Sequence, residues 1–422
     1  MPTPSLLIVP ARFKTGKLYS QIPTSGAGDF TVTRNTTATR LNSAGAIESV
    51  ASGIPRLDYS VSGFVTGCPA LLVEPAATNE IRNNSNTNAV TGTPGTLPTN
   101  WTETLAGLTR SVIALGAENG VQYIDIRLSG TANATEAIIN FESPTQTVAS
   151  NGQVWTNSCF LKSISAPVPY TGLRLSTVER TSGGVFVASG NSPDLTLTST
   201  LNRFSFTRTL SGGGTVARVQ SRISFGLVSG TAYNFTVRIG YPQMETGSVA
   251  TSVIPTTAGT GSRSADVISV SGAVSGSIGQ TEGTIYAEVD IRNSVTAAVL
   301  GLDNNSTTDF IIVFRNSSRQ ITVTIRRANG SLESIITSSA LAVGVHKIAL
   351  GYTNGNYALY INGSLAGTST NSVSFPTSLT ACRIGANAFS SGTGDPFNDR
   401  IRAVALYTTR LTNAELASLT AP

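Results

Sequence analysis

Apolar and polar residues alternate with a period of two along most of the chain, and this alternation predicts strands. In TIYAEVDIR, Ile285, Ala287, Val289 and Ile291 fall on one side, and Tyr286, Glu288 and Asp290 on the other. QITVTIRR repeats the pattern with Ile321, Val323 and Ile325. The middle of the chain behaves alike. VQYIDIRL aligns Ile124, Ile126 and Leu128, and VWTNSCFL aligns Trp155, Cys159 and Leu161 with Phe160 opposite. RFSFTRTL aligns Phe204 and Phe206, and NFTVRIGY aligns Phe235, Val237, Ile239 and Tyr241. Such runs between Gly/Ser-rich turns predict two-sheet sandwiches, because each strand has one face to bury. Asn-Gly pairs at 354–355 and 362–363 supply the positive φ of tight hairpins. One short helix is predicted in RLTNAELASLT, where Thr412 caps the first turn and Glu415 completes a capping box. No short tandem repeat points to a solenoid or β-helix.

Breaks in the alternation suggest the domain plan. Residues 1–94 carry only short strand-like pieces. RNNSNTNAVTGTPGTLPTN, at 82–100, is polar and rich in Gly and Pro, which predicts a boundary. TTAGTGSRSADVISVSGAVSGS, at 256–277, looks like a second linker. The expectation is an all-β, multidomain chain: an irregular β-rich N-terminal segment (1–94), a jelly roll (95–255), and a second jelly roll with the short helix (256–422).

Composition narrows the function classes. The chain has 422 residues, enough for several domains, and only 12% are charged. The net charge of +5 comes from 28 Lys and Arg against 23 Asp and Glu, spread thinly. No basic block exists to track phosphates, so a nucleic-acid partner is not expected. Cys68, Cys159 and Cys382 lie far apart without a Cys-x-x-Cys, which suits folding in a reducing cytoplasm. No apolar run has membrane-spanning length and no basic leader opens the sequence, so neither membrane insertion nor signal-driven secretion is expected.

Candidate chemistry is sparse. The single histidine, His346, shares parity with Ile348 and Leu350, which predicts a hydrogen-bonded structural role. A Ser-His-Asp triad would have to use it, and no Gly-x-Ser-x-Gly elbow accompanies it. Asp395 with Asp399, and Asp303 with Asp309, could pair as glycosidase carboxylates, but both pairs sit where Asp favours turns. Glycan recognition asks for an exposed aromatic ring beside Asn, Asp or Arg. Trp101, Tyr357 and Phe397 are the candidate rings, with Asp395 and Asn398 as polar neighbours. In CPALLVEPAATN, Cys68 is read as a small apolar residue, Leu71, Leu72 and Val73 as a buried strand, and Pro75 as its end.

Three segments resemble known families. YALYINGSLAGTS and CRIGANAFSSGTGDPFNDRIRAVALYTTRLTNAELASL resemble the laminin-G/concanavalin-like jelly roll. Tyr360, Asn362, Gly363, Ile384, Gly385, Phe397, Ile401, Val404, Tyr407, Leu411 and Glu415 carry the match. Asp399–Arg400 departs from it where glycine is common. That resemblance implies a lectin-type sandwich and a calcium ion held by loop oxygens, with Asp303, Asp395 and Asp399 as candidate ligands. VRIGYPQMETGSVATSVIPTTAG resembles the end of a carbohydrate-binding-module jelly roll in bacteriophage fibre proteins, through Gln243, Glu245, Gly247, Thr251, Ser252 and Pro255. The N-terminal TRNTTATRLNSAGAIESVASGIPRLDYS, followed by LLVEPAATN, is similar to a segment that often precedes that module. Arg34, Pro55, Arg56, Asp58, Tyr59, Leu71, Leu72, Glu74, Pro75, Thr78 and Asn79 are among its matching residues.

The order of the three implies a homotrimeric virion fibre or spike of head or tail. It would be made in the host cytoplasm and carried on the virion surface. Its N-terminal segment would join other virion proteins, and its outer modules would bind host-surface glycans without catalysis. Three alternatives stand beside this reading: a tailspike-type polysaccharide depolymerase, a bacterial surface lectin, and a purely structural fibre with no ligand.

Overall fold

The computed structural model describes residues 2–60, 68–165, 170–327, 333–372, 376, 378–387 and 396–422. It is all-β apart from a 3-10 turn at Ala273–Ser277 and the helix Asn413–Thr420. Among the described residues, no helix is long and apolar enough to cross a membrane. The chain divides into two compact units, Met1–Ala76 with Ser264–Pro422, and Ala77–Arg263. This differs from the expected breaks at 94 and 255, because the second unit is an insertion within the first.

The first unit is a sandwich of large sheets. One sheet runs Ser364–Ser369, Asn356–Ile361, Gly344–Thr353, Glu282–Ile291, Asp399–Tyr407, Ala70–Val73 and Leu57–Asp58, with Leu6–Ile8 also paired to Asp399–Tyr407. The other runs Phe13–Lys14, Lys17–Leu18, Phe30–Thr33, Val267–Ser271, Ala381–Ile384, Ala297–Asp303, Phe310–Arg315, Gln320–Arg326 and Glu333–Ala340. The N-terminal segment therefore adds strands to both sheets rather than standing apart. The predicted faces hold: Ile285, Ala287, Val289 and Ile291 join Ile321, Val323 and Ile325 in one core. On the outside of the first sheet, Tyr286, Tyr360 and Tyr407 are covered by Leu411 and by Leu416 of the helix. The predicted capping box forms, Thr412 accepting from the Glu415 amide and Glu415 from the Thr412 amide. The turn Asn362–Gly363 has positive φ at both residues, 50° and 79°, the mirror-turn geometry that Asn-Gly favours.

The N-terminal motif residues hold this unit together from inside. Arg34 and Arg56 are almost fully buried, as are Glu74 and Asp266. Arg56 binds Glu74 at 2.6 Å and also Asp266, while Arg34 reaches Asp266 at 3.1 Å. Burial works against the Arg56 charge, yet Asp266 and Glu74 outweigh it and hold the guanidinium above its usual value. The Glu74 and Asp266 backbones also bond at 3.0 Å. Ala70–Val73 pairs with the Asp399–Tyr407 strand, as the buried-strand reading of LLV expects.

The second unit is a smaller sandwich. Its five-stranded sheet runs Thr109–Glu118, Val121–Thr131, Ala232–Thr246, Val154–Ser163 and Asn202–Thr209. The facing sheet runs Thr102–Thr104, Glu136–Asn140, Arg218–Gly226, Gly172–Arg180 and Phe186–Asn191, with Thr147–Val148 also paired to Arg218–Gly226. Ile124, Ile126, Leu128, Trp155, Cys159, Phe235, Val237 and Ile239 fill the space between them. The polar stretch 82–100 is not a linker. Asn84 is buried and exchanges bonds with the Thr256 backbone and hydroxyl and the Ile254 carbonyl. Nor is 256–277 one, since it supplies Gly261–Arg263 and Val267–Ser271 as strands. Gly261–Arg263 pairs with Ala77–Asn79, so this unit begins and ends at neighbouring strands.

Candidate functional site

The rings singled out from the sequence are unavailable for stacking on a ligand. Trp101 is 6% exposed and packs edge-on against Phe141 with centroids 4.8 Å apart. Tyr357 is 1% exposed, and Phe397 is fully buried beneath the Arg315 guanidinium at 5.0 Å. Each belongs to a sandwich core, so the expectation of an exposed ring at these positions is corrected. Asn398 is half-buried in a left-handed turn, and its carbonyl accepts from Asn293 Nδ2 at 2.7 Å.

Two of the three calcium candidates, Asp303 and Asp399, are bound by arginine instead. Arg383 Nε donates to Asp303 Oδ2 at 2.6 Å, and the Asn305 amide donates to Asp303 Oδ1 at 2.8 Å. Asp399 Oδ2 accepts from Arg315 and from the Arg292 amide. Burial pushes the Asp399 carboxyl up to about 6 against the pull of Arg315. A carboxylate already paired with a buried cation is poorly placed to ligate another. Asp395 lies outside the described residues. Among those described, no group of three His, Cys, Asp or Glu could hold a metal. His346 is buried and bonds through both ring nitrogens, to the Ala342 carbonyl at 2.9 Å and Asn362 Nδ2 at 3.0 Å.

The chemically distinctive surface lies elsewhere, on the outer face of the six-stranded sheet in the second unit. Alternation sends Leu173 and Leu175, Val219, Ile223 and Phe225, and Ala137 and Ile139 into the core. Their neighbours must then face outward. Register groups these into rows, since directly opposed residues share a face. Asn140, Arg222, Ser176 and Asn191 form one row across four strands. Ile138, Ser224 and Arg174 form the next, and Glu136, Gly226 and Gly172 the last. Toward the other end, Val148, Arg218, Arg180 and Phe186 line up. Phe186 is 56% exposed and Val148 69% exposed, so this row opens to solvent at both sides. A bulge beside Phe186 turns it out, while Val187 packs on the core.

Some of the face is locked and some is not. Arg180 Nε donates to Gln220 Oε1 at 2.8 Å, and Gln220 Nε2 donates to the Glu142 carbonyl at 2.6 Å. By contrast, Asn140 Oδ1, Ser176 Oγ, and Nε of both Arg218 and Arg222 are buried without a hydrogen-bond partner among the described residues. Ser176 itself is 0% exposed. Orphaned buried polar atoms are rare in folded proteins and cost about 1–3 kcal/mol each, so several on one face ask for an explanation. Burial lowers the Arg222 guanidinium, with Glu136 opposing. Burial and then Arg222 lower Arg180.

A cavity of about 320 Å³ opens at the end of this face, lined by Thr135, Glu136, Thr171, Gly172, Arg174, Ser224 and Gly226. Two glycines make it. Gly172 and Gly226 are paired, and a Cβ on Gly172 would sit 2.7 Å from Asp194 Oδ1, one on Gly226 2.7 Å from Thr171 Oγ1. Arg174 bridges the rim by bonding Asp194 Oδ1 at 2.6 Å. The face thus offers guanidinium forks, hydroxyl and amide groups, and an exposed ring beside a hollow.

Sequence reasoning missed these residues although the signal was present. RVQSRISFG alternates Arg218, Gln220, Arg222 and Ser224 against Val219, Ile223 and Phe225. A strand with arginines at i and i+4 on its outward side is a surface feature that periodicity can reveal.

Residues 263–417 match the family model of the concanavalin A-like lectin/glucanases superfamily. This matches the fold of the first unit, a β-sandwich of that type. No curated protein matches the chain. Among solved structures, the carbohydrate-binding module CBM40 of the Ruminococcus gnavus IT-sialidase is similar at 19% identity, covering 34% of this chain and 85% of that one with a TM-score of 0.30. Domain 4 of AbnA, a GH43 arabinanase from Geobacillus stearothermophilus solved with arabinotriose, is similar at 16% identity, covering 37% and 76% with a TM-score of 0.31. A SAP-like pentraxin from Limulus polyphemus is similar at 14% identity, covering 33% and 70% with a TM-score of 0.27.

Proposed function

We propose that this protein is a non-catalytic glycan-binding protein, and that the outer face of the six-stranded sheet is its principal binding surface. One observation carries the reading. Asn140, Arg222 and the exposed Asn191 stand in a single row, within the same sheet face as the exposed ring of Phe186, and polar atoms of Asn140 and Arg222 have no protein partner among the described residues. Sugars present hydroxyls to such donors and acceptors and lay their C–H faces on aromatic rings. The lectin-type fold of residues 263–417 is consistent with a carbohydrate-directed chain. The resemblance of the middle segment to carbohydrate-binding modules points the same way.

A glycan array probed with the full chain tests this. Binding is expected, and Phe186→Ala should weaken it about three- to tenfold, the scale of one aromatic contact. An array with no bound glycan would sink the reading. The finer proposal is an appendage on a bacteriophage particle, homotrimeric and held by the N-terminal segment to other virion proteins. Its support is the order of the three sequence resemblances. Locating the chain in an electron-microscopy map of the particle, with sedimentation for the trimer, decides it.

A further inference from the structure

We infer that the ligand of this face is an acidic polysaccharide bearing sugar carboxylates, with Arg222 as the residue that reads the carboxylate; this rests on the glycan-binding reading above. Charge accounting within the second unit motivates it. Arg82, Arg110, Arg208 and Arg238 each carry a carboxylate partner, respectively Glu142, Glu103, Glu179 and Asp125. Arg174, on the rim, is held by Asp194. Arg127, on the other sheet, bonds the neutral Asn234 at 2.7 Å. Arg180, Arg218 and Arg222 also lack a carboxylate. They share the outer sheet face, and no ion pair is formed by any of them among the described residues. Arg180 gives its donors to Gln220 and to the Gly184 carbonyl, both neutral.

Three guanidinium groups gathered on one partly buried face without an acid partner repel one another. Arg222 lowers Arg180 for this reason, after burial itself. Such an arrangement is complementary to a ligand that brings negative charge. The position of Arg222 sharpens the choice of charge. Its Nε is buried and free, and opposed to it are Asn140 and Ser176, each with a free oxygen. The two terminal nitrogens of a guanidinium form a planar fork that matches the two oxygens of a carboxylate, and Arg222 keeps part of its surface exposed although its Nε does not. Asn140 and, further along the same row, the exposed Asn191 offer amide groups to hydroxyls on the same sugar. Glu136 lies on the same face and acts on both Arg222 and Arg174. That acid tempers the potential, which favours singly charged carboxylates over densely sulfated chains or nucleic acid.

Affinity electrophoresis of the full chain tests the inference with polygalacturonate, alginate and hyaluronan, each beside its carboxyl-reduced, neutral counterpart. Dextran sulfate and duplex DNA serve as polyanion controls. At least one carboxylated polymer should bind, about tenfold or more tightly than its reduced form, the scale of a charge-assisted hydrogen-bonded pair. Arg222→Gln should remove that preference, bringing the acidic polymer's binding down to the level of its reduced form, with the melting temperature unchanged. Arg222→Lys should restore it only in part, because a point charge does not replace a fork. Equal binding of acidic and reduced polymers, or an unaffected Arg222→Gln, would overturn the acidic specificity and leave glycan binding standing. Dextran sulfate or DNA binding as tightly as the carboxylated polymers would overturn it in favour of general polyanion attraction. Binding of no polysaccharide, acidic or neutral, would remove both proposals.

Discussion

Arginines are handled in opposite ways in two places. In the first unit, Arg34 and Arg56 lie inside the protein, with Glu74 and Asp266 set against them. On the sheet face of the second unit, Arg218 and Arg222 keep buried Nε groups with no protein partner among the described residues. The first arrangement is closed, since each charge is answered from within the chain. The second is open, because the fold positions donors that it does not itself use. Closed networks couple distant segments of sequence, here residues 34, 56, 74 and 266, and break badly when one member is lost. Open ones tolerate substitution, because removing an unpartnered group strands nothing.

The largest expected effect breaks the closed side. Arg56→Met removes the buried guanidinium that pairs both Glu74 and Asp266, leaving Arg34 on Asp266, and should cost about 3–5 kcal/mol of stability, read from urea unfolding followed by fluorescence. An unfolding midpoint equal to that of the parent would refute the assignment of these charges to the core. Acid should act on the same unit. Burial pushes the Asp58 carboxyl up, but Arg400 at 2.8 Å, the Ser60 hydroxyl and the Leu41 amide outweigh it and hold it below the usual carboxylate range. A depressed folded value means that its contribution is present above the unfolded pKa, about 4. It is then lost as pH falls through the lower folded value. Thermal scans should therefore show a loss in acid that Asp58→Asn abolishes, whereas binding to the proposed arginine face should be even between about pH 6 and 9, because guanidinium keeps its charge throughout that range.

On the open side the effects on folding shrink while those on binding stay. Gly172→Val places a side chain into the hollow and against Asp194, whose flexible end can move aside. Glycan affinity should fall by about tenfold with a stability change near 1 kcal/mol. Arg222→Gln is the smallest stability effect, within about 0.5 kcal/mol of the parent, since no partner is lost. Calorimetry on that variant gives the cleanest contrast with Arg56→Met.

Much of the architecture could be read from alternation. Ile285 to Ile291, Ile321 to Ile325 and Phe235 to Ile239 were assigned to buried faces by period alone, and the Thr412–Glu415 box by spacing. The insertion could not be read that way. The pairing of Ala77–Asn79 with Gly261–Arg263 joins strands far apart in sequence, and no local pattern encodes it. Asn83 and Asn84 looked like linker residues because polarity alone does not separate solvated amides from buried ones that bond backbone groups. Trp101 misled for a related reason. It sits between a polar stretch and a strand whose outward members are Thr102 and Thr104, and this parity turns the indole inward. Phe186 follows a glycine pair in GGVFVASG, and the bulge in its pairing, which local alternation does not encode, decides which way its ring points.

The pairing of the second unit's first and last strands makes it a cassette. Its two ends leave side by side, and in the first unit Glu74 and Asp266 are already bonded backbone to backbone at 3.0 Å. Residues 77–263 could therefore be cut out and Ala76 spliced to Ser264 through a few glycines, with both sheets of the remaining sandwich still supplied by their own strands. The same seam would accept a foreign module whose termini lie equally close. Recombination at this seam would exchange the proposed binding face without redesigning the sandwich that remains.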